Sequence, residues 1–425
     1  MPSIKEALVE SNPWWKARFE IEFKERSVYK EVQPFLRMPH IIAFTGIRRA
    51  GKSTIMHKLI QDSISNGADP RSIVYFSFDE FRETDIREII SEYEKLTSKN
   101  FGDNCTMFLD EVQKIQGWEN QLKRLYDIYK GRARFIISGS ESLFIKKKSE
   151  ETLAGRIFEF KVNTLSFREF LSFKGFKYDN IEVYSKELLR LFDEFMLSLG
   201  FPELISANDP AVVRKYVKGI TEKIIYGDIP KIFKVEDPSI LESMTNVIME
   251  SPGEIINIQE IAQNLGISRH TASNYLQYLE SAFLIRKLYN FSRNRRKVEK
   301  KLKKYYPEIV STELLFKDDP LYRSRVFEWL IVKSIDAEFF WRDAYKNEVD
   351  IVIPKRTPLP IEVKYGKIDP KGVYVFLSKF KARHGYIISH REEGALESAD
   401  YKITIVPAYK FLLEKPEQQE RKAHA

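Results

Sequence analysis

The chain has 425 residues, 43% of them hydrophobic and 13% aromatic, which is enough for about three domains that each bury a core. No segment approaches the ~18 uninterrupted apolar residues of a membrane span, the charged N-terminus lacks the apolar stretch of a secretory signal, and the single Cys105 excludes an internal disulfide framework. We therefore expect a cytoplasmic protein with no membrane partner, and the net charge of +8 favours polyanions without proving that one binds.

The first predicted element is a strand that runs into a phosphate-binding loop. In HIIAFTGIRRAGKSTIMHKLIQD, the apolar strand Ile41 to Phe44 leads to Gly46, and Gly51, Lys52 and Ser53 open an amphipathic helix. Glycines let backbone N–H groups curl around phosphate oxygens, the lysine reaches the β- and γ-phosphates, and the serine hydroxyl joins Mg²⁺. The pattern therefore predicts ATP and Mg²⁺ as cofactors. The residues expected to bind them are Gly46, Arg48, Arg49, Gly51, Lys52, Ser53, Thr54 and Asp110.

Two further apolar strands are expected to bring catalytic groups to the same edge of a parallel sheet. CTMFLDEVQKI ends its strand at Asp110 and Glu111, which predicts a carboxylate for Mg²⁺ and a neighbour that orients and deprotonates the attacking water. ARFIISGSES ends near Ser138 and Ser140, placed to sense the γ-phosphate or that water. The alternative for the serines is a plain strand–turn with helix-capping hydroxyls. The acidic doublet predicts ATP hydrolysis.

Three arginines have roles that the sequence leaves open. Arg48 and Arg49 lie in the phosphate loop, where small residues are usual, and are expected to contact DNA, a neighbouring subunit or the nucleotide. Arg156, in ETLAGRIFEFKVNTLSFREFL, belongs to a segment expected to leave the nucleotide core. It is a candidate finger on the γ-phosphate of a neighbouring subunit, a sensor in its own chain, or a surface residue. The first role requires a homo-oligomer, and one sequence does not separate a ring from a monomer.

The middle of the chain is predicted to be helical and then to form a helix-turn-helix. Apolar residues recur every three to four positions from Phe167 to about Ile248, which indicates a lid or connector. NIQEIAQNLGISRHTASNYLQYLESAFLIRKL follows as helix, turn at Gly266, helix and strand, with a wing expected next. Its expected core is Ile258, Ile261, Ala262, Leu265 and Ile267, and its expected outward face is Arg269, His270, Ser273 and Asn274. That face would read DNA, although such modules also dock on proteins. The basic strip Arg293 to Tyr306 beside it is either a phosphate-contacting surface or a solvated helix.

The last predicted feature is a charged hairpin in NEVDIVIPKRTPLPIEVKY. With a side-chain period of two, Asp350 shares a face with Glu348, and Glu362 shares one with Lys364 on the partner strand. A suitable register brings Asp350, Glu362 and Lys364 together. A helix carrying Glu328 precedes the hairpin. The plain alternative is an amphipathic hairpin whose charges face water.

Taken together, GIRRAGKST, FLDEVQKI, ISGSES, LAGR, LSFREFL, GFPELI and YGDI resemble an archaeal and bacterial family of AAA-type ATPases. Its members carry a C-terminal domain of unknown function that resembles restriction endonucleases, and the resemblance runs from about Arg26 to about Val406. It implies an α/β multidomain fold with a parallel-sheet P-loop ATPase core, a helical lid, a winged helix and a restriction-endonuclease-like α/β tail. The corresponding domains are 1–165, 166–248, 249–304 and 305–425. After the wing the chain departs from the family pattern, with YYPEIVSTELLFKDD in place of a short strand and an Asp-Gly turn.

The resemblance also implies a nuclease-type site in the hairpin. Asp350, followed by Glu362 and Lys364 with Glu328 nearby, is similar to the restriction-endonuclease active site, in which carboxylates hold Mg²⁺ or Mn²⁺. Glu328, Asp350 and Glu362 are the expected ligands, and Lys364 is expected to position water or stabilise charge. A degenerate site of this kind would bind DNA or a protein without cutting.

These predictions combine into an ATPase that works on or with DNA and carries a metal-dependent nuclease-like tail. The expected catalytic residues are Lys52, Glu111, Ser138, Arg156, Asp350, Glu362 and Lys364. The alternative from another class is an ATP-switched regulator or scaffold whose tail binds a partner without chemistry. A third hypothesis is a nuclease whose ATPase licenses cutting.

Overall fold

The structure, a computed structural model, describes residues 3–81, 84–139, 152–207, 209–294, 296, 298 and 302–414. The chain divides into two compact units, residues 1–164 with 281–283 and residues 165–280 with 284–425. Across the part of the chain that is described, we find no helix with the length and apolar character needed to cross a membrane.

The first unit is built on a parallel sheet of strand order β2-β3-β4-β1-β5. The strands are near-continuous apolar runs because helices cover a parallel sheet on both faces. Strands β1 to β5 are Ile41–Thr45, Ile73–Ser77, Cys105–Asp110, Ala133–Gly139 and Ile157–Lys161. Helices α1 to α5 are Ile4–Ser11, Ser27–Val32, Lys52–Ser65, Ile86–Thr97 and Trp118–Tyr129.

The core of this unit includes large aromatic side chains, among them Tyr93, Trp118 and Phe135. The N-terminal helix is attached by Asn12, whose amide group donates to the carbonyl oxygen of Tyr75 at 2.8 Å and accepts from its N–H at 2.7 Å. Asn12 is fully buried, so these two backbone contacts satisfy a side chain that would otherwise be costly to bury.

Strand β5 corrects one expectation. The segment after Arg156 was expected to leave the nucleotide core, yet it forms the edge strand of the same sheet, with Ile157 opposite Ile41 in parallel register. Its aromatic residues Phe158 and Phe160 pack against Phe35 with ring centroids 5.0 and 5.1 Å apart. The alternation of aromatic and charged residues in IFEFK is typical of an edge strand with one covered face.

The second unit begins with the predicted helical region. In the helix Ser185–Leu197, for example, Leu188, Leu191, Phe192 and Phe195 are buried at spacings of three to four residues. A π-helical stretch, Lys223–Asp228, interrupts the run before the short helix Ile229–Ile232. Helices α6 to α12 are Phe167–Phe173, Ser185–Leu197, Pro210–Glu222, Ile229–Ile232, Pro238–Glu250, Ile258–Asn264 and Arg269–Ser281.

A second sheet, of order β10-β9-β7-β8-β6, follows these helices. Strand β8 pairs antiparallel with both β6 and β7, and β7 pairs in parallel with β9, so one sheet joins the helix-turn-helix segment to the C-terminal part. The expected boundary between residues 304 and 305 lies inside β8. Strands β6 to β10 are Glu254–Ile255, Ile285–Asn290, Lys303–Pro307, Phe339–Arg342 and Glu348–Val349.

Helices α11 and α12 are joined by a turn at Gly266, whose φ is +66°. Of the five apolar residues expected to form the core here, Ala262 is buried and the other four are only half-buried. Helix α11 has seven residues, and its apolar face is covered less than the spacing predicts. Arg269, His270 and Ser273 are exposed, as expected for an outward face, and Asn274 is half-buried.

The third sheet, of order β11-β12-β13-β15-β14, lies in the C-terminal part. Its inner pairs β12–β13 and β13–β15 are parallel, and its two edge strands pair antiparallel. Strands β11 to β15 are Ile351–Ile353, Leu359–Lys364, His384–Ser389, Gly394–Glu397 and Lys402–Pro407. Helices α13 to α16 are Thr312–Phe316, Pro320–Ile335, Lys371–Phe380 and Ala408–Glu414.

The close approach of α15 to β10 gives a test of this packing. A Cβ on Gly372 would lie 2.0 Å from the carbonyl oxygen of Glu348. We expect Gly372→Ala to reduce the free energy of unfolding by at least about 2 kcal/mol, because backbone on both sides must shift. A Cβ on Gly219, in helix α8, would meet no described atom within 4 Å, so Gly219→Ala is the control and should be neutral or stabilising by about 0.5–1 kcal/mol. Equal unfolding midpoints for Gly372→Ala and wild type in urea would contradict the packing of α15.

Candidate functional site

The phosphate loop connects β1 to α3 and requires glycine at both ends. Gly46 has a φ of +143°, and a Cβ there would lie 2.2 Å from the carbonyl oxygen of Val162. Gly51, at φ +99°, is the N-cap of α3. Both conformations favour glycine, so the glycines set the path of the backbone and point the start of α3 at the loop.

Lys52 is buried and its ammonium lies against the loop. Its Nζ donates to the carbonyl oxygens of Gly46 at 2.9 Å and Ile47 at 3.2 Å. Arg26 supports the loop from outside, donating through Nη1 to the carbonyl oxygen of Ala50 at 2.9 Å and through Nη2 to that of Asn163 at 2.7 Å. Arg26 is 5% exposed. Sequence reasoning gave it no role, because it stands in an ordinary charged segment with no motif of its own.

Asp110 connects α3, β2 and β4 through hydrogen bonds to its side chain. Its carboxylate accepts hydrogen bonds from Ser53 Oγ at 2.6 Å, from the Tyr75 hydroxyl at 2.6 Å and from Ser138 Oγ. Asp110 is 4% exposed, and the three hydroxyl donors offset the cost of burying its charge. A carboxylate beside a serine hydroxyl at a helix start is an oxygen donor set that fits Mg²⁺.

Tyr75 was not predicted, because it sits in the apolar strand IVYFS, where the pattern indicates a core residue. Burial, the charge of Asp110 and the hydrogen bond to it raise the pKa of Tyr75 well above its usual range. The phenol therefore remains a donor to Asp110 at every physiological pH. The His57 ring lies 4.7 Å from the Tyr75 ring, and burial lowers the pKa of His57 against the opposing effect of Asp110.

Glu111 directly follows Asp110 and adopts a left-handed backbone conformation, with φ +56°. Its N–H donates to Ser138 Oγ at 3.1 Å, so one serine contacts both members of the acidic doublet. Gln113 Nε2 donates to Glu111 Oε2 at 2.5 Å and orients the carboxylate. Ser138 lies within β4 rather than beyond its end, and Ser140 falls outside the described residues.

The other residues predicted to bind nucleotide or to act in catalysis lie in the phosphate loop, at the start of α3 and before β5. Arg48 is half-buried, whereas Arg49, at φ +62°, and Thr54 are exposed at the loop and the start of α3. Arg156 lies at the amino ends of the strands, whereas the phosphate loop follows their carboxyl ends. Its carbonyl oxygen accepts from Ile41 N–H, at the first residue of β1. Four residue steps of β1, roughly 13 Å, separate Ile41 from the start of the loop. Arg156 Nε is 3.1 Å from Asp127 Oδ1, so the structure does not bring it to the phosphate loop of its own chain.

The predicted hairpin is formed by β11 and β12 with Ile351 opposite Ile361. This register places Asp350 beside Glu362, and Asp350 Oδ2 accepts from the N–H of Val363 at 2.9 Å. Lys364 Nζ lies 2.7 Å from Glu362 Oε1. The structure therefore brings Asp350, Glu362 and Lys364 together, as the strand period predicts.

Two more acidic residues complete what we call the carboxylate cluster, defined as Glu328, Glu348, Asp350 and Glu362. Lys304, from β8, lies within it: its Nζ is 2.5 Å from Glu348 Oε1, 3.6 Å from Glu328 Oε1 and 3.8 Å from Asp350 Oδ1. Tyr306, two residues on, donates its hydroxyl to Glu328 Oε1 at 2.7 Å. Glu362 is 7% exposed, and its Oε2 is buried without a hydrogen-bond partner among the described residues.

Burial dominates the electrostatics of the carboxylate cluster. Burial raises the pKa of Glu362 to about 8, with the charge of Asp350 adding to the shift and Lys364 opposing it. Burial and Asp350 also raise the pKa of Glu328. Burial alone would lower the pKa of Lys304, but the surrounding carboxylates outweigh it and the pKa lies above its usual value. Lys304 is therefore a charged ammonium in this site.

Lys304 changes the expectation for a metal at the hairpin. Among the residues that the structure describes, no three histidine, cysteine, aspartate or glutamate side chains are arranged to hold a metal ion. Glu328 and Asp350, two of the three expected ligands, instead lie beside an ammonium. Sequence reasoning assigned Lys304 to the basic strip, since nothing local shows that this side chain points into the protein.

Comparison with known proteins assigns two segments. Residues 38–171 match the family of AAA domains, and residues 189–307 match a domain of unknown function, DUF8612. The first segment contains the phosphate loop, Asp110, Glu111 and Ser138, so the nucleotide site described above lies in the part of the chain that is similar to AAA domains. The second ends at the last residue of β8.

The matching relatives in Methanocaldococcus jannaschii are described as uncharacterized proteins. One from Methanocaldococcus jannaschii is 27% identical over 283 residues, which cover 64% of this chain and 62% of that protein, less than two thirds of its length. A second uncharacterized protein of the same organism is 24% identical over 94% of this chain and 89% of its own. Among solved structures, AMPPCP-bound DnaA from Aquifex aeolicus aligns with a TM-score of 0.30 and 14% identity, over 62% of this chain and 89% of that chain. That likeness is too distant to carry an argument.

Proposed function

We propose that this protein hydrolyses ATP at its phosphate loop and uses the nucleotide cycle to act on DNA through its second unit. The observation that carries the ATPase part is the contact of Asp110 with Ser53, which places the residues that follow the phosphate loop beside the acidic doublet Asp110 and Glu111. These are the residue types that phosphoryl transfer needs, and they meet at one end of the parallel sheet.

Each residue of the site has a separate task in this proposal. The loop between Gly46 and Gly51 presents backbone N–H groups to the phosphates, and Arg26 holds the loop through the carbonyl of Ala50. Lys52 exchanges its contacts with loop carbonyls for the β- and γ-phosphates. Ser53 and Asp110 would hold Mg²⁺, which neutralises charge on the transferring phosphate.

Glu111 is the proposed general base. Gln113 donates to one of its oxygens and fixes the direction of the carboxylate, and Ser138 links Glu111 to Asp110. Proton transfer from the attacking water to Glu111 then occurs next to the ion-binding carboxylate. Arg156, remote from its own loop, remains a proposed finger on the nucleotide of a neighbouring subunit, which would require a homo-oligomer.

The ATPase part is tested with two variants that fail in different ways. Lys52→Ala should abolish tight ATP binding, because the ammonium that pairs with the phosphates is lost. Glu111→Gln should keep ATP bound but lower turnover at least about 100-fold, because the amide cannot accept the proton. Both are measured by phosphate release and by retention of radiolabelled ATP.

The matched control is Lys58→Ala. Lys58 lies in the same helix as Lys52, and its Nζ is 2.7 Å from Asp62 rather than at the loop. It should leave turnover unchanged. Wild-type turnover in both Lys52→Ala and Glu111→Gln would remove the ATPase assignment.

The second unit is proposed to engage DNA through a winged helix and a restriction-endonuclease-like tail. The two helices joined at Gly266, followed by the antiparallel strands β7 and β8, support the first, and exposed Arg269 and His270 lie at the start of its second helix. The hairpin register that unites Asp350, Glu362 and Lys364 supports the second. A divalent ion, Mg²⁺ or Mn²⁺, would supply water activation there, and Lys364 would stabilise charge on the phosphate.

Cleavage is tested with end-labelled linear and branched DNA, with Mn²⁺ or Mg²⁺, with and without ATP. Wild type should cut and Glu362→Ala should not, since Glu362 supplies a buried oxygen that no described protein group satisfies. The exposed Glu187→Ala, on helix α7, is the control. Cleavage that persists in Glu362→Ala would contradict the proposed centre.

One observation favours a second candidate, an ATP-switched regulator or scaffold whose tail does no chemistry. Lys304 already supplies a cation to Glu328, Glu348 and Asp350, as expected of a cluster that has become structural. This candidate predicts intact DNA in every condition above. It also predicts an ATPase rate that DNA does not change and no salt-sensitive retention of DNA.

A further inference from the structure

Strand β8 inserts a charged side chain into the centre of the carboxylate cluster. Lys304 is 6% exposed by its side chain, and its Nζ lies within 4 Å of carboxylates from α14, from β10 and from the turn before β11. Glu328 of α14 and the neighbouring residues Glu348 and Asp350 thus come from two parts of the chain and converge on one ammonium. The position at their centre is therefore one where a positive charge is held.

A second observation shows that the ammonium does not use all of the oxygen donors available. Glu362 is 7% exposed, and its Oε2 has no hydrogen-bond partner in the described part of the chain, although its other oxygen pairs with Lys364. A buried unpartnered carboxylate oxygen is costly to keep. Carboxylate oxygens are the ligands that hard divalent cations prefer, but with the ammonium in place no three acidic side chains of the described residues are arranged to hold a metal ion.

The backbone around Lys304 is fixed. Strand β8 is paired on both sides, with β6 and with β7. Next to it, Gly253 has a φ of +82°, and a Cβ there would lie 2.9 Å from the Tyr306 hydroxyl and 3.0 Å from Glu328 Oε1. The turn before β6 therefore leaves no room for a side chain at Gly253 beside the Tyr306–Glu328 hydrogen bond. The part free to move is the four-carbon stem of Lys304, which has rotamer freedom once its ammonium is released.

We propose that the Lys304 ammonium and a divalent cation are mutually exclusive occupants of the carboxylate cluster, so that β8 sets the metal affinity of the tail. The inference rests on the proposed function, in which this cluster holds Mg²⁺ or Mn²⁺. Two cations cannot share the same three carboxylates at these distances without strong repulsion. Metal enters when Lys304 turns out, and the resting site is closed to weakly binding metal.

The test measures Mn²⁺ binding directly, by electron paramagnetic resonance of free Mn²⁺, on the full-length protein without nucleotide. Lys304→Met should bind Mn²⁺ at least tenfold more tightly than wild type, because the competing ammonium is gone. Lys304→Arg keeps the charge and should bind like wild type. Lys303→Met is the matched control on the same strand; Lys303 Nζ lies 5.6 Å from the Tyr289 ring centroid.

Destabilisation by Lys304→Met is handled by a second readout. Ligand that binds only the folded state raises the unfolding temperature. Saturating Mn²⁺ should therefore raise the unfolding temperature of Lys304→Met more than that of wild type. Adding Glu362→Ala to Lys304→Met should remove the gain, which separates the carboxylate cluster from the nucleotide site.

The outcomes separate this inference from the proposed nuclease. If Lys304→Met binds Mn²⁺ no more tightly than wild type while wild type cuts DNA through Glu362, the competition is wrong and the nuclease stands. If Lys304→Met gains Mn²⁺ binding through Glu362 and no protein cuts DNA, the competition is right and the nuclease is wrong. If the gain survives Glu362→Ala, the cluster is not where the metal binds and the inference is overturned.

Discussion

The hydrogen bonds to Asp110 are the constraint on which the nucleotide site depends. A carboxylate with 4% exposure would be costly to bury alone, and hydroxyl groups from α3, β2 and β4 satisfy it. The same bonds fix the relative positions of three parallel strands and the first turn of the helix after the phosphate loop. Because Ser53 is one of the donors, its hydroxyl and the carboxylate face the same point. The hydrogen bonds that stabilise buried Asp110 thus also place its carboxylate and the Ser53 hydroxyl where Mg²⁺ would bind.

In the second unit, buried carboxylates are stabilised by ion pairs with an ammonium group. In its carboxylate cluster Asp350 and Glu362 are buried and Glu328 and Glu348 are half-buried, and Lys304 of β8 supplies the compensating charge. Because β7 pairs with both β8 and β9, the helix-turn-helix segment and the C-terminal part share one sheet. The charge balance of the cluster is therefore set by a strand outside the segment that carries Asp350 and Glu362. The position of Lys304 is expected in two cases. In one, β8 regulates metal binding by the C-terminal part; in the other, the C-terminal part no longer catalyses a reaction.

Local sequence patterns predicted most of the fold, including the strands and the loop that carry the two sites. The strand before Gly46, the acidic strand end and the hairpin register follow from apolar runs and a period of two, which depend on neighbouring residues only. Tyr75, Arg26 and Lys304 were missed because their roles arise from contacts with residues far away in the sequence, such as the contact between Tyr75 and Asp110, which are 35 positions apart. Strand β5 was missed for the same reason, since only its pairing with β1 shows that it stays in the sheet. Tertiary pairing, rather than propensity, decided these positions.

The measurement that tests the account most directly is the affinity for ATP with and without Mg²⁺, by titration calorimetry, on wild type and Asp110→Asn. If Asp110 and Ser53 hold the ion, Mg²⁺ should tighten ATP binding at least about tenfold in wild type and have little effect in the variant. ATP binding without Mg²⁺ should be similar in both proteins, since Lys52 and the loop are unchanged. An equal gain from Mg²⁺ in wild type and Asp110→Asn would contradict the assignment of this buried carboxylate as the ion ligand.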